Sequence, residues 1–438
     1  IYLLPWSRTN FRNKEKLTKD HSFQLASVSK PFTAIAILQL IEKGEINLDD
    51  TLQKFFPDFP YKKITIHQLL SHRSGMSKYT HFCDAPDSIW PDKNLTINNK
   101  DVIKILEEAN KSSETNQLFI NNKDLTFTES ADAFGLADEG FSSQAVFFDM
   151  DNDGDLDMYQ VNQPADKKLF LLNKIPKKDY SLFRDRIYRN VNGKFIDVSK
   201  EVGISRNFGY GLSVNASDFN NDGWIDLYVA NDYAEPDFMY YNNGDGTFKN
   251  VINEKLKHIT QLSMGSDTGD INNDGNIDLF TTDMTPEDHY RSKTNMASMS
   301  TDRFESLVKA GAHRQYMSNT LQINTGSGSF SDIANIAGIS STDWSWASLL
   351  VDLDNDGWKD IIVSNGIKRD VENNDYLSLL KKLDRNTTAE QLFEISKSAP
   401  SVPISNYIFK NTGGFKFEKV SKKWGFDTPS FSSGMAYG

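Results

Sequence analysis

The chain has 438 residues, of which 38% are hydrophobic and 12% aromatic, enough for a packed core and unlike a disordered polymer. Its formal net charge is −12, and no basic cluster stands out, which argues against a nucleic-acid-binding surface. A single cysteine, Cys83, excludes an intrachain disulfide and a thiolate cluster, and the longest apolar run, "AIAILQLI" at 34–41, falls far short of the roughly 20 residues a membrane-spanning helix needs.

This length predicts two to four domains or one large repeat domain. The chain begins at Ile1, without methionine or signal peptide, so it is expected to be a fragment whose address lies outside it. "PFTAIAILQLIEKGE" reads as a buried helix ending at Gly44, and "TIHQLLSHRSGM" as a second helix and its turn. Just upstream, Ser27 and Lys30 form an S-x-x-K pair; three residues apart on a first helical turn, hydroxyl and amine share a face. The helix N-terminus would favour developing negative charge there, and a desolvated lysine could act as base. His67, His72, His81 and Cys83 could be assembled into a zinc site, but no His-Glu-x-x-His or Cys-x-x-Cys supports one, and turn and packing roles are expected. The polar stretch "EEANKSSETNQ" at 107–117 ends this region, with 111–117 read as linker or junction between a segment 1–110 and a segment 118–438.

From 118 onward, two elements alternate. The first is a hairpin signal, an apolar run entering an Asn/Gly/Asp-rich turn and leaving through phenylalanine: "LFINNKDLTF", "IYRNVNGKF", "MYYNNGDGTF", "LQINTGSGSF" and "YIFKNTGGFKF", closing at Phe127, Phe195, Phe248, Phe330 and Phe417. The second is an acidic loop of pattern D-x-[DN]-x-D-G-x-x-D at 149–157, 218–226, 270–278 and 352–360, each flanked by strand-forming residues. The loops hold 15 aspartates, so without them the chain would carry +3; the acidity belongs to the loops and calls for cations. Insertions make the spacing irregular, among them a helix predicted over 373–396. Short strands in tandem units of 50–90 residues describe a β-propeller with long connections. Trp224, Trp344, Trp346 and Trp358 are expected to fill spaces between blades rather than to stack on sugars.

Oxygen ligands at positions one, three, five and nine, with a glycine at six to turn the chain, suit Ca²⁺. These are Asp149, Asp151, Asp153 and Asp157; Asp218, Asn220, Asp222 and Asp226; Asp270, Asn272, Asp274 and Asp278; and Asp352, Asp354, Asp356 and Asp360, with a backbone carbonyl at position seven expected to complete each set. An EF-hand would need glutamate at position twelve, where Gln160, Val229, Thr281 and Val363 stand, and would continue as helix rather than strand. Magnesium, which retains water, suits all-protein cages less well.

The loops and hairpins resemble the FG-GAP/VCBS repeats of integrin α-type propellers and bacterial secreted proteins. Within that group, "STDWSWASLLVDLDNDGWKDIIVSNGIKRDV" and "PISNYIFKN" resemble the acidic-cartilage-protein-like family. The resemblance implies a calcium-bearing propeller outside the cytoplasm or on the cell surface. It also implies about four Ca²⁺ sites, a binding, adhesion or scaffolding role, and an extracellular protein or polysaccharide as partner. Segment 15–108, with "FQLASVSKPFTA", "GEINLDD" and "ITIHQLLSHRSGM", resembles serine β-lactamase and penicillin-binding-protein-like hydrolases of the class C/esterase type. Carried over, Ser27 would be nucleophile and Lys30 its base. That family also uses a Tyr-x-Asn and a Lys-Thr-Gly or His-x-Gly element. Here Tyr-x-Asn occurs only inside the hairpins at 187–195 and 239–248, and neither third element occurs.

The expected fold is therefore mainly β, an incomplete propeller preceded by a truncated α/β serine-β-lactamase-like segment. The expected function is an extracellular calcium-binding module fused to an inactive hydrolase segment; if that segment acts, it acts as an S-x-x-K serine hydrolase. One alternative is a secreted serine hydrolase of the β-lactamase, esterase or D-Ala-D-Ala peptidase kind, presented to a polymer by its propeller. Another is an artificial joining of two reading frames.

Overall fold

A computed structural model describes residues 8–10, 15–16, 37, 40–41, 43–55, 64–67, 115–123, 126–164, 183–204, 209–233, 235–295, 301–383 and 389–437. The chain divides into two compact units, Ile1–Ala131 and Asp132–Gly438, so the first hairpin belongs to the first unit.

In the first unit, β1 (Arg8–Asn10) and β2 (Glu15–Lys16) pair antiparallel. Residues 37, 40 and 41 are helical and Gly44 follows with φ +74°, the left-handed conformation that ends a helix; residues 66 and 67 are helical too. The rest of both helices expected here lies outside the described residues. Ile46, Leu52, Ile64 and Ile66 are buried. Residues 115–117 carry no regular structure, and the hairpin pairs β3 (Phe119–Asn121) with β4 (Phe127–Glu129).

Among the described residues, the second unit contains four four-stranded antiparallel sheets, each a meander in chain order. The first holds β5 (Ser142–Phe148), β6 (Asp157–Asn162), β7 (Arg186–Val191) and β8 (Lys194–Asp197). The second holds β9 (Tyr210–Ser217), β10 (Asp226–Asp232), β11 (Phe238–Asn242) and β12 (Phe248–Asn250). A parallel pair of short strands, β13 (Ile259–Thr260) and β16 (Gln315–Tyr316), stands outside these sheets. The third sheet holds β14 (Ser266–Gly269), β15 (Asp278–Thr281), β17 (Thr320–Asn324) and β18 (Phe330–Asp332). The fourth holds β19 (Ser345–Val351), β20 (Asp360–Asn365), β21 (Tyr407–Asn411) and β22 (Phe417–Lys419). The acidic loops join first strand to second in every sheet, and the hairpins join third to fourth. The first strands pack in series, β5 on β9, β9 on β14 and β14 on β19. These are blades of a propeller arc.

Strand periodicity explains the stacking. Side chains alternate across a strand, so a second strand buried on both faces must be apolar throughout. In β10, Leu227 and Val229 enter a core shared by the first and second sheets, while Tyr228 and Ala230 enter the core shared by the second and third. Phe280 of β15 meets Leu350, Ile361 and Val363 between the third and fourth sheets. Where first strands come closest, side chains are excluded: a Cβ on Gly265 would lie 2.5 Å from the carbonyl oxygen of Trp346.

One expectation needs correction. The helix expected over 373–396 is two helices, Asn374–Leu380 and Ala389–Lys397, with residues 381–383 outside both. Trp224 and Trp358 rest on the hairpin turns of their own sheets, against Gly244 and Gly413.

At the sheet ends away from the acidic loops, buried carboxylates tie third strand to second. Asp185 accepts the Asn162 N–H at 2.8 Å and the Tyr159 hydroxyl at 2.8 Å. Asp237 accepts the Asn231 N–H at 2.8 Å, the Ser263 hydroxyl at 3.0 Å and the Tyr228 hydroxyl. Asn319 and Asn406 fill this role in the third and fourth sheets. Burial without a countercharge pushes Asp185 and Asp237 up to about 7, against the pull of their hydrogen bonds. With the folded value above the ordinary one of about 3.9, the folded protein holds protons that the unfolded chain has released. Their stabilising contribution is complete below about pH 4 and is lost as pH rises to about 7. Asp237→Asn, compared with the parent in chelator, should flatten the fall in melting temperature between pH 5 and pH 8; an unchanged slope would show that Asp237 stays ionised when folded.

Candidate functional site

The four acidic loops share one backbone. Position four is asparagine in every loop, Asn152, Asn221, Asn273 and Asn355, with φ between 57° and 60°. Position six is Gly154, Gly223, Gly275 and Gly357, with φ between 85° and 91°. Only glycine and asparagine adopt this left-handed backbone readily, which accounts for both residue types.

The first aspartate closes the turn. Asp149, Asp218, Asp270 and Asp352 each accept the N–H of position five at 3.1–3.2 Å through one oxygen and the N–H of position six at 2.8–3.0 Å through the other. The fifth position, Asp153, Asp222, Asp274 and Asp356, accepts the N–H of position seven at 2.8–3.0 Å.

The ninth aspartate plays a different part. Asp157, Asp226, Asp278 and Asp360 are at most 1% exposed. One oxygen accepts the N–H of position two, from Met150, Phe219, Ile271 and Leu353, at 2.9–3.1 Å. The other accepts the N–H of a hairpin asparagine, Asn190, Asn242, Asn324 and Asn411, at 2.7–2.9 Å. Desolvation pushes Asp157 up to about 6 and Asp226 and Asp278 up to about 7, against these hydrogen bonds; it raises Asp360 as well. So both oxygens already serve the backbone, although each keeps a second lone pair.

The hairpin asparagines were not legible as functional, although each stands at the same place in its hairpin. Their side-chain oxygens accept the turn glycine N–H of Gly193, Gly244, Gly326 and Gly413 at 2.8–3.1 Å. Their amide groups reach across blades: Asn242 donates to the Met150 carbonyl at 2.8 Å, Asn324 to that of Phe219 at 2.7 Å, and Asn411 to that of Ile271 at 2.8 Å. Neighbouring loops also touch directly, Asn152 to the Gly223 carbonyl at 3.2 Å and Asn273 to that of Gly357 at 3.1 Å.

Positions one, three and five face one another. Carboxylate oxygens of Asp149, Asp151 and Asp153, and again of Asp352, Asp354 and Asp356, lie within 4.8 Å. In the first loop, Oδ1 of Asp151 and Oδ1 of Asp155 are closed off from solvent and accept no hydrogen bond. Orphaned carboxylate oxygens in an all-oxygen set fit a hard divalent cation. In the second and third loops, Asn220 and Asn272 stand at position three and donate to Asp222 at 2.8 Å and to Asp274 at 2.9 Å. Two hairpin cations reach the other loops: Arg189 Nε lies 3.4 Å from Asp151, and Lys410 contacts Asp354 and lies 2.7 Å from Asp356. The Lys410 ammonium holds the Asp356 carboxyl below its usual range.

Ser27 and Lys30 lie outside the described residues, as do His72, His81 and Cys83; His67 is described. Among the described residues, the groupings of acids, histidine or cysteine able to hold a metal ion are the two aspartate triads.

Comparisons with known proteins match two different families to the chain. Residues 1–109 match the Beta-lactamase family, and residues 99–159, 218–281 and 310–363 match the FG-GAP-like repeat. Penicillin-binding protein 4* of Bacillus subtilis (strain 168) is 38% identical over 106 residues, 24% of this chain and 23% of that protein. Beta-lactamase-like protein 4 of Dictyostelium discoideum is 41% identical over 78 residues, 16% of this chain and 14% of that one. Esterase EstB of Burkholderia gladioli is 39% identical over 67 residues, 14% and 17% respectively. The chain thus spans less than a quarter of the length of these relatives. A solved structure of an Agrocybe aegerita lectin, titled for recognition of non-reducing terminal N-acetylglucosamine, matches 69% of this chain and 58% of that one, with 17% identity and a TM-score of 0.32.

The two kinds of loop aspartate should separate in calcium-free buffer. Asp226→Ala strips an acceptor from two N–H groups, both in buried hydrogen bonds. It should cost about 2–4 kcal/mol by denaturant unfolding, whereas Asp222→Asn at the exposed fifth position should cost under about 1 kcal/mol. Equal costs would refute the assignment of position nine as the buried tie.

Proposed function

We propose that the FG-GAP-like region is a calcium-dependent binding or scaffolding module that works outside the cytoplasm. Positions one, three and five of each loop would hold the ion: Asp149, Asp151 and Asp153; Asp218, Asn220 and Asp222; Asp270, Asn272 and Asp274; Asp352, Asp354 and Asp356. Position nine, through Asp157, Asp226, Asp278 and Asp360, would support each set from below. The observation that carries the reading is the pair of aspartate triads, Asp149, Asp151 and Asp153 and Asp352, Asp354 and Asp356, whose carboxylate oxygens lie within 4.8 Å of one another, with Oδ1 of Asp151 enclosed and accepting no hydrogen bond. A bound divalent ion supplies the positive charge that offsets repulsion among these carboxylates. Asp149 and its counterparts hold the turn in shape, and the asparagines at position four link each loop to a neighbour. The extracellular setting agrees with the repeat family, and no helix among the described residues is long and apolar enough to cross a membrane. The partner would be an extracellular protein or polysaccharide.

The amino-terminal segment is proposed to be catalytically silent, because the Tyr-x-Asn outside a hairpin and the third motif of the resembling hydrolases do not occur in this chain. A second reading, an active serine hydrolase carried by its propeller, draws support from the names of the relatives above. Ester hydrolysis that disappears in Ser27→Ala but persists in chelator would establish it; the silent reading expects no Ser27-dependent turnover.

Calcium modules outside cells commonly have dissociation constants of about 10⁻⁴–10⁻³ M. At about 2 mM calcium, each occupied site then adds roughly 0.7–1.8 kcal/mol. Melting in calcium should exceed melting in chelator by several degrees, and coincident curves would reject the metal assignment.

A further inference from the structure

The four loops differ at position three, and the difference has a partner in the fold. Asp151 and Asp354 occupy it in the first and fourth loops, Asn220 and Asn272 in the second and third. The residue just before the hairpin asparagine differs in step: Arg189 and Lys410 in the first and fourth sheets, Tyr241 and Ile323 in the second and third. Wherever position three gains a carboxylate, the hairpin gains a cation. The geometry matches the pattern. Lys410 bridges Asp354 and Asp356, and Arg189 lies 3.4 Å from Asp151. In the other two loops the position-three amide donates to position five at 2.8 and 2.9 Å, and no cation is required. Positions one, three and five together with the hairpin residue therefore carry a net charge of −2 in all four loops. The first loop adds Asp155 at position seven.

We propose that Lys410 and Arg189 are built-in counter-ions that hold the fourth and first loops together when metal is scarce and compete with an incoming divalent cation for their aspartates. The inference rests on the calcium reading for its second half alone. Without metal, three carboxylates within 4.8 Å repel one another, and an ammonium between two of them removes most of that repulsion. With metal, the same ammonium must be moved aside before Asp354 and Asp356 can turn to the ion. The fourth loop is then a weaker site than its three carboxylates alone would make it. Lysine suits this role, as a point charge on a flexible stem that can swing away.

The test uses the full chain, calcium chloride and a chelator. Lys410→Met should lower the melting temperature in chelator by roughly 1–2 °C, the size expected from losing a doubly paired surface charge in a unit of this length. The double variant Lys410→Met/Asp354→Asn recreates the pattern of the second and third loops and should recover most of that loss. In calcium titrations, Lys410→Met should tighten one site by about tenfold. Arg189→Met, alone and with Asp151→Asn, repeats the comparison in the first loop. An unchanged chelator melting temperature together with an unchanged titration would overturn the proposal, as would failure of Asp354→Asn to rescue. If the parent binds no calcium yet the chelator loss and its rescue appear, the counter-ion assignment stands and the calcium reading falls. If the parent binds calcium and neither arm responds, the reverse holds.

Discussion

The propeller arc depends on a carboxylate that solvent never reaches. The ninth aspartate of each loop caps the N–H of position two with one oxygen and the N–H of a hairpin asparagine with the other. That single group fixes the acidic loop to the hairpin beside it, so first, second and third strands of a sheet are locked at one end. An uncompensated buried charge is costly, and burial pushes Asp226 and Asp278 up to about 7 for that reason. Hydrogen bonds from two main-chain donors offset part of it.

From this tie the structure spreads in two directions. Inward, position two is drawn toward the core: Met150, Phe219 and Ile271 are buried between one sheet and the next. Their carbonyls then accept the asparagine amide of the following sheet, so one loop position supplies both an apolar plug and a polar latch to its neighbour. Outward, the aspartates at positions one, three and five stand close together, with their backbone already shaped by asparagine at position four and glycine at six. The fold is organised by the buried carboxylate, which leaves the carboxylates at positions one, three and five for the proposed cation. Scaffold and proposed site are thus one loop with two layers.

Much of this is legible in the sequence, because the motifs repeat within it. The four loops, the five hairpins and the strand assignments around them follow from spacing and turn chemistry, and the structure has them in place. What is not legible is anything that depends on distant partners. Asn242, Asn324 and Asn411 look like ordinary turn residues, since the carbonyls they bind lie 92, 105 and 140 positions away. Reading positions one, three, five and nine as equivalent ligands misses the burial of the ninth, which depends on strand packing. The insertion at 373–396 misleads for a local reason, a continuous helical pattern that carries two helices. Arg189 and Lys410 differ from Tyr241 and Ile323 at the same hairpin position, a contrast visible only with the repeats set side by side. The S-x-x-K segment at the amino terminus has no such internal repeats, and its family match over 1–109 carries the reading there.

Hydrogen exchange resolved to single amides tests the two-layer account most directly. Exchange should be slow for the N–H groups of Phe219, Ile271, Asn242 and Asn324 in chelator as well as in calcium, because their acceptor is the buried carboxylate. The N–H groups of Asp222, Gly223 and Trp224, which lean on exposed aspartates, should exchange quickly in chelator and slow when calcium is added. Uniformly fast exchange of both sets in chelator would show that the metal, and not the ninth aspartate, organises the loops.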